Sequence, residues 1–330
     1  LHMYTAIYNH GLDAQEIRDD EDAVRQIAKG LADSREWLQR MPFVPGGIPL
    51  SVAPHLEETF FNYYYRGDYD EWWSQECNDQ TRYWDQHADV PVLITGGWYD
   101  PFIDGCTGYF CAMKDRIDSK VRIIIGPWGH GTMRLRTSSL GDVDFGQAAM
   151  HGYPAHHELR KRWFDRWLRD EINGVKEDSP VEIFVMGGGS GKKTSEGLLD
   201  HGGYWRSENE WPIARTQFQT LNMTADGRLM ELSAEECDST SFIHDPDNPV
   251  PTAGGNMAHL SDIEEPEGGW NRVPEFGERA MTYGRGGSQI VPWGPMDQRE
   301  RDWLTRCNKS GSKLSERPDV LVFESSPNSG

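Results

Sequence analysis

The chain has 330 residues, with 53 acidic against 33 basic side chains and a formal charge of −20. That balance speaks against a surface built for nucleic acid or anionic membrane, and no apolar run approaches the roughly 18 residues of a membrane-spanning helix. Five scattered cysteines (Cys77, Cys106, Cys111, Cys237, Cys307), odd in number and without a C-x-x-C pair, point away from a disulfide framework or a zinc site.

The opening "LHMYTAIYNHG" lacks the basic, apolar and small-residue succession of a signal peptide, and it reads like the middle of a protein. The sequence leaves the compartment open, with the cytoplasm favoured. Residues 1–85 read as helical and irregular. In "DEDAVRQIAKGLADSREWLQRMP", Val24, Ile27, Leu31 and Leu38 recur near helical spacing, and Pro42 stops the pattern. "FFNYYYRGDYDEWWSQ" shows no alternation, so its aromatics are expected to pack a small helical subdomain. The functional alternative is the wall of an apolar substrate pocket.

The texture then changes. "VPVLITGGWYD" holds a strand over Val92–Thr95, "GYFCAMKDRI" a helix, and "VRIIIG" a second strand closed by Gly126-Pro127. "HHELRKRWFDRWLRDEING" predicts an amphipathic helix with Leu159, Trp163, Phe164, Trp167 and Leu168 on one face and Asn173-Gly174 at its end. Val181–Gly187 is a third strand. Strand–helix–strand–helix–strand predicts a parallel α/β sheet. From Pro212 onward the pieces "RTQFQTLNM", "RLMEL", "TSFIHD" and "DVLVFES" read as short strands of a β-sandwich.

His130 follows the second strand, in the place where open α/β sheets keep their chemistry. A general-base histidine needs a carboxylate to hold its tautomer. Asp100, at the end of the preceding strand, is the best candidate. Adjacent parallel strands put their carboxyl ends side by side, and Asp-then-His is the chain order of the α/β-hydrolase triad. The bland reading is an exposed or structural histidine; the aspartate one β–α unit earlier favours the catalytic one. The nucleophile is missing. Only Ser34, Ser51 and Ser74 precede Asp100, and none sits in a G-x-S-x-G elbow.

Two decoys fail. "GGGSGKKT" has Lys192 where a phosphate loop, or an elbow around Ser190, needs glycine, and reads as a flexible connection. "HHELRK" has Lys161 where a zinc-binding H-E-x-x-H needs its second histidine.

"PVLITGGWYDPF", "RIIIGPWGHG", "RWFDRWLRDEINGV", "VEIFVMGGGSGKKT", "YWRSENEWP", "DPDNPVPTAGG" and "RPDVLVFES", in this order, resemble the X-prolyl dipeptidyl aminopeptidase and cocaine esterase family of serine hydrolases. The resemblance runs from about Asp70 to the end. It implies an α/β-hydrolase core with an inserted helical cap and a C-terminal jelly roll. By motif, Asp100 is the triad acid, His130 the triad base, and Phe102 a wall of the acyl pocket. An acidic residue at that last position would mark the amino acid ester hydrolase branch.

The family's elbow serine and oxyanion-hole tyrosine have no counterpart here. The chain is therefore expected to be a fragment of an α/β protein. It would hold a helical cap (1–85), the second half of an α/β-hydrolase core (86–212) and the first part of a jelly-roll β-sandwich (213–330). The expected activity is that of a serine hydrolase cleaving small ester or amide substrates, with the serine outside this chain and the chain alone inactive. X-prolyl dipeptidyl peptidase activity and a non-catalytic binding module are the alternatives. No cofactor, metal, nucleic-acid or membrane partner is expected.

Overall fold

The computed structural model describes residues 11–33, 36, 40, 42–130, 137–231, 239–256, 269, 272–279, 294–301 and 310–327. Helix α1, Glu21–Ala32, starts where Asp20 caps it: the Asp20 carboxylate accepts the backbone N–H groups of Asp22 (3.1 Å) and Ala23 (3.0 Å). It buries Val24, Ile27 and Ala28 as its spacing predicts. The helix ends ten residues before Pro42, and the side chains of Leu31 and Leu38 lie outside the described residues. Helix α2, Pro54–Tyr65, has proline in its first turn, where a missing N–H costs nothing. It sends Phe60 and Phe61 into a core with Leu12, Ile27, Phe43 and Leu50 and leaves Tyr64 and Tyr65 outside. Phe60 and Phe61 of the "FFNYYY" cluster are thus core packing.

This helical unit is also held from far along the chain. Val273 packs on its core, Gly277 N–H donates to Asp13 Oδ1 (2.7 Å), and the buried Arg279 donates to the Arg18 carbonyl (2.8 Å).

The α/β core consists of β1 (Val92–Tyr99), α3 (Ile103–Met113), β2 (Val121–Gly129), α4 (Gly152–Leu168), β5 (Val181–Met186) and β7 (Gly203–Glu208). The short strands β3 (Ser139–Leu140), β4 (Val143–Asp144) and β6 (Leu199–Asp200) form a second sheet beside it. The main sheet runs β1–β2–β5–β7, parallel through the first three and antiparallel at β7. All nine residues of β2 are buried, as a central parallel strand covered on both faces requires. Ile123, Ile125 and Val181 are fully buried against Phe110 and Met113 of α3. Each contributes about 1.5–3 kcal/mol by leaving water.

Several boundaries differ from the sequence reading. Helix α3 begins five residues earlier than expected, directly after β1. Strand β2 runs through Gly126-Pro127 instead of stopping there. Helix α4 spans Gly152–Leu168 and stops because Asp170 takes a left-handed conformation (φ 57°), well before Asn173-Gly174. On α4, Trp163 is buried while Phe164 and Leu168 are exposed. The "GGGSGKKT" loop is a hydrogen-bonded return: Gly189 N–H reaches the His201 carbonyl (2.7 Å) and Ser190 Oγ donates to Asp200 Oδ2 (2.6 Å).

A charge cluster around the buried Arg122 clamps α4 to the sheet. Arg122 of β2 pairs with Asp178 and with Glu182 of β5, and Arg162 of α4 donates to both oxygens of Asp178 (2.6 and 3.0 Å). A cleft of about 560 Å³ lies along the outer edge of β1, between Val92, Leu93 and Thr95 on one side and His156, Trp163 and Phe164 on the other.

Beyond residue 212, the described residues hold a two-stranded hairpin, β8 (Asn222–Met223) with β9 (Leu229–Met230), and isolated bridges such as Arg228 to Glu324. "TSFIHD" and most of "DVLVFES" form no strand ladder, and only Glu324 makes a bridge. This region is held by Arg317, which donates to Glu300 (2.7 Å), Asp319 (2.8 Å) and the Asn248 carbonyl (2.6 Å), all with little exposure of the charged partners.

Candidate active site

Asp100 and His130 lie one residue past the carboxyl ends of β1 and β2. Their side chains meet: His130 Nδ1 lies 3.2 Å from Asp100 Oδ2. The aspartate side chain is largely shielded (15% exposed) and the histidine half open (45%). A carboxylate only accepts hydrogen bonds, so the shared proton sits on Nδ1, and Nε2 is the ring nitrogen that would exchange a proton in catalysis. An imidazole in that state can take a proton from a hydroxyl.

The aspartate is oriented by its own turn. Asp100 N–H donates to the Gly97 carbonyl (3.0 Å), and Ile103 N–H to the Asp100 carbonyl (3.1 Å). Phe102 N–H donates to Oδ1 (2.9 Å), leaving Oδ2 for the imidazole. The Phe102 ring stands edge-on to the His130 ring, with centroids 5.3 Å apart, and is half exposed. The three residues singled out in the sequence are therefore together. Phe102 presents an apolar face beside His130.

Cys106, one turn into α3, is close enough to Asp100 to feel its charge. Burial, and then that negative charge, push the thiol up from its ordinary value, so it stays protonated and is a poor nucleophile. Ser190 is engaged by Asp200. Cys77, Cys106 and Cys111 are free thiols, and no group of three or more metal-ligating side chains occurs among the described residues.

The sequence reading missed the role of Trp128. It is buried two residues before His130, and its indole N–H donates to the Ala149 carbonyl (3.0 Å). Its ring meets those of His151 (5.3 Å) and Trp205 (5.5 Å). The available signal was a pair of glycines, Gly97 and Gly126, facing one another on neighbouring strands.

Residues 4–132 match the family model of the X-Pro dipeptidyl-peptidase (S15 family). That segment belongs to the family. The chain is also 31% identical over 177 residues to the cocaine esterase of Rhodococcus sp. (strain MB1 Bresler). That alignment takes in 51% of this chain and 28% of the esterase, so the chain spans under a third of this curated relative's length. Two crystal structures of a CocE/NonD family hydrolase from Staphylococcus aureus are partial likenesses. One covers 44% of this chain and 21% of its own, at 16% identity and a TM-score of 0.28. The other covers 53% and 25%, at 17% identity and a TM-score of 0.35. At these scores neither adds to the fold described above. The S15 family match and the β–α–β–α–β core agree on an α/β-hydrolase-like fold in a hydrolase family.

Proposed function

We propose that this chain carries the acid–base pair of a serine hydrolase that cleaves small ester or amide substrates. The carrying observation is the 3.2 Å approach of His130 Nδ1 to Asp100 Oδ2 at the carboxyl ends of adjacent parallel strands. In this reading a serine outside the chain attacks the carbonyl and His130 Nε2 takes its proton. Asp100 stabilises the imidazolium, and the proton then passes to the leaving group. Phe102 lines the acyl side of the pocket. Residues 1–85 serve as the helical cap, 86–212 as the second half of the core and 213–330 as the first part of a jelly roll.

The description of the matched family model keeps X-Pro dipeptidyl peptidase as the second reading. Hydrolysis of p-nitrophenyl butyrate against an X-Pro-p-nitroanilide separates the two. The 330-residue chain alone is expected to be inactive on both, because removing a triad serine costs on the order of 10⁶ in turnover. A longer polypeptide carrying an elbow serine is expected to hydrolyse the ester. It should lose about 10⁴-fold in turnover on Asp100→Asn, which favours the wrong tautomer, and at least as much on His130→Ala. Wild-type rates in both variants would overturn the assignment, and so would turnover by the isolated chain that His130→Ala abolishes.

A further inference from the structure

The two strands that present Asp100 and His130 do not run in one register. From Val92↔Val121 to Gly97↔Gly126 the paired residues are 29 apart in number; at Tyr99↔Gly129 they are 30 apart. One residue, Trp98, stands on β1 where two, Pro127 and Trp128, stand on β2. This is a β-bulge in a parallel pair, and an extra residue of this kind re-aims every side chain beyond it. Carried one step further, the shifted register sets Asp100 opposite His130. Without the extra residue Asp100 would face Gly129, and the His130 side chain would turn to the other face of the sheet.

The surroundings are built to hold the bulge. Pro127 has no N–H to lose from a ladder, which suits it to a bulged position. A Cβ on Gly126 would lie 2.4 Å from three atoms of the Trp128 ring, so only glycine lets that ring fold back over its own strand. A Cβ on Gly97 would lie 2.1 Å from the Trp128 carbonyl oxygen, so the opposite strand is also cut away at this point. The Trp128 indole is then tied to the Ala149 carbonyl. On the far side, the β2–β5 pairing ends at Ile125↔Ile183, and the next carbonyl, that of Phe184, accepts the Trp98 indole N–H (2.8 Å). The polar group that the diverging strand leaves behind is therefore satisfied.

We infer that the Pro127–Trp128 bulge, locked by the Trp128 ring, is the positioning device that brings His130 into register with Asp100. Trp128 acts through the backbone of β2 and touches no reacting atom. The inference rests on the acid–base reading above.

The test is the imidazole ¹⁵N spectrum of His130 in the 330-residue chain labelled at histidine, assigned with His130→Gln, with circular dichroism to score folding. The parent chain should show a neutral ring protonated on Nδ1, and Asp100→Ala should lose that signature. Deleting Pro127 should cause the same loss, whereas Pro127→Gly, which keeps the residue count, should retain it. Trp128→Phe, which keeps an aromatic ring and drops the indole N–H, should give a mixture of tautomers. Gly97→Ala should also erode the signature.

A folded Pro127 deletion with the parent signature would overturn the inference. If that deletion does not fold, parent-like spectra in both Trp128→Phe and Gly97→Ala would overturn it instead. An unchanged signature in Asp100→Ala would overturn the acid–base pairing itself, a separate failure.

Discussion

The two halves of the described chain are held together by different forces. Between Val92 and Glu208, the main-sheet strands of six to nine residues bury apolar clusters, and the charged groups, such as the clamp around Arg122, sit around them. Among the described residues beyond 212, the ladder is two residues long and an ionic centre, Arg317 between Glu300 and Asp319, ties the segments together. Apolar burial is non-directional and nearly indifferent to pH. A buried ionic centre needs every partner in place and in one protonation state. The two regions should therefore fail under different insults.

The largest effect is expected in the core. Ile125→Ala removes a fully buried side chain that packs under α3, and should cost about 2–5 kcal/mol as read from chemical denaturation. Such a loss would lower the main transition and leave the Arg317 centre intact. Arg317→Met should do the reverse. It strands Glu300 and Asp319 without their shared cation, so limited proteolysis should open the region beyond residue 212 while the main melt barely moves. A common fate for both regions in either variant would show them to be one cooperative unit.

pH sharpens the contrast. Hydrogen bonds from Ser310, and further along from Arg317, hold Glu300 below the usual carboxylate range, and Arg317 does the same for Asp319. These depressed carboxylates stabilise the fold above the unfolded values near 4 and lose that contribution only as the pH falls through their lower folded values. His151, packed against Trp128, behaves differently because burial alone pulls its imidazole below the ordinary value. Its unfolded form takes up a proton near pH 6.5, which the folded form resists. Stability is thus full above that pH and declines as the pH falls toward the folded value. His151→Phe should flatten the melting temperature between pH 7 and pH 5, with proteolysis beyond residue 212 unchanged over that range. The smallest effect is expected at the exposed face of α4: Leu168→Lys should change stability by no more than about 0.5 kcal/mol, as read from chemical denaturation.

The core was legible in the sequence because its signals are strong and local. "VLIT", "VRIII" and "VEIFV" are apolar-rich runs of strand length, with β2 buried throughout, and Asp100 and His130 fall where the first two strands end. The bulge was hidden behind a rule that normally works: Gly-Pro reads as a stop, yet here the pair lets β2 continue with one extra residue. Strand β7, "GYWRSE", was missed because its side chains alternate poorly in polarity, and its Gly203 makes room for the Phe184 ring, where a Cβ would lie 2.1 Å away. "DVLVFES" shows the opposite error. It has strand propensity, but Leu321 and Val322 are partly exposed and only Glu324 bridges, since β-propensity expresses itself only against a partner strand.

The contacts of Gly277 and Arg279 with Asp13 and Arg18 join residues 264 and 261 positions apart. On a ribosome adding about 5–20 residues per second, the first partner waits roughly 13–50 seconds for the second to be made. Through that interval the core around Phe43 and Phe60 has its own helices but lacks the Val273 flank, a surface open to chaperones or to a neighbouring nascent chain. The helical unit is thus made well before its last contacts can form. Synonymous codon changes between residues 20 and 270 could alter the yield of this protein without altering a single side chain.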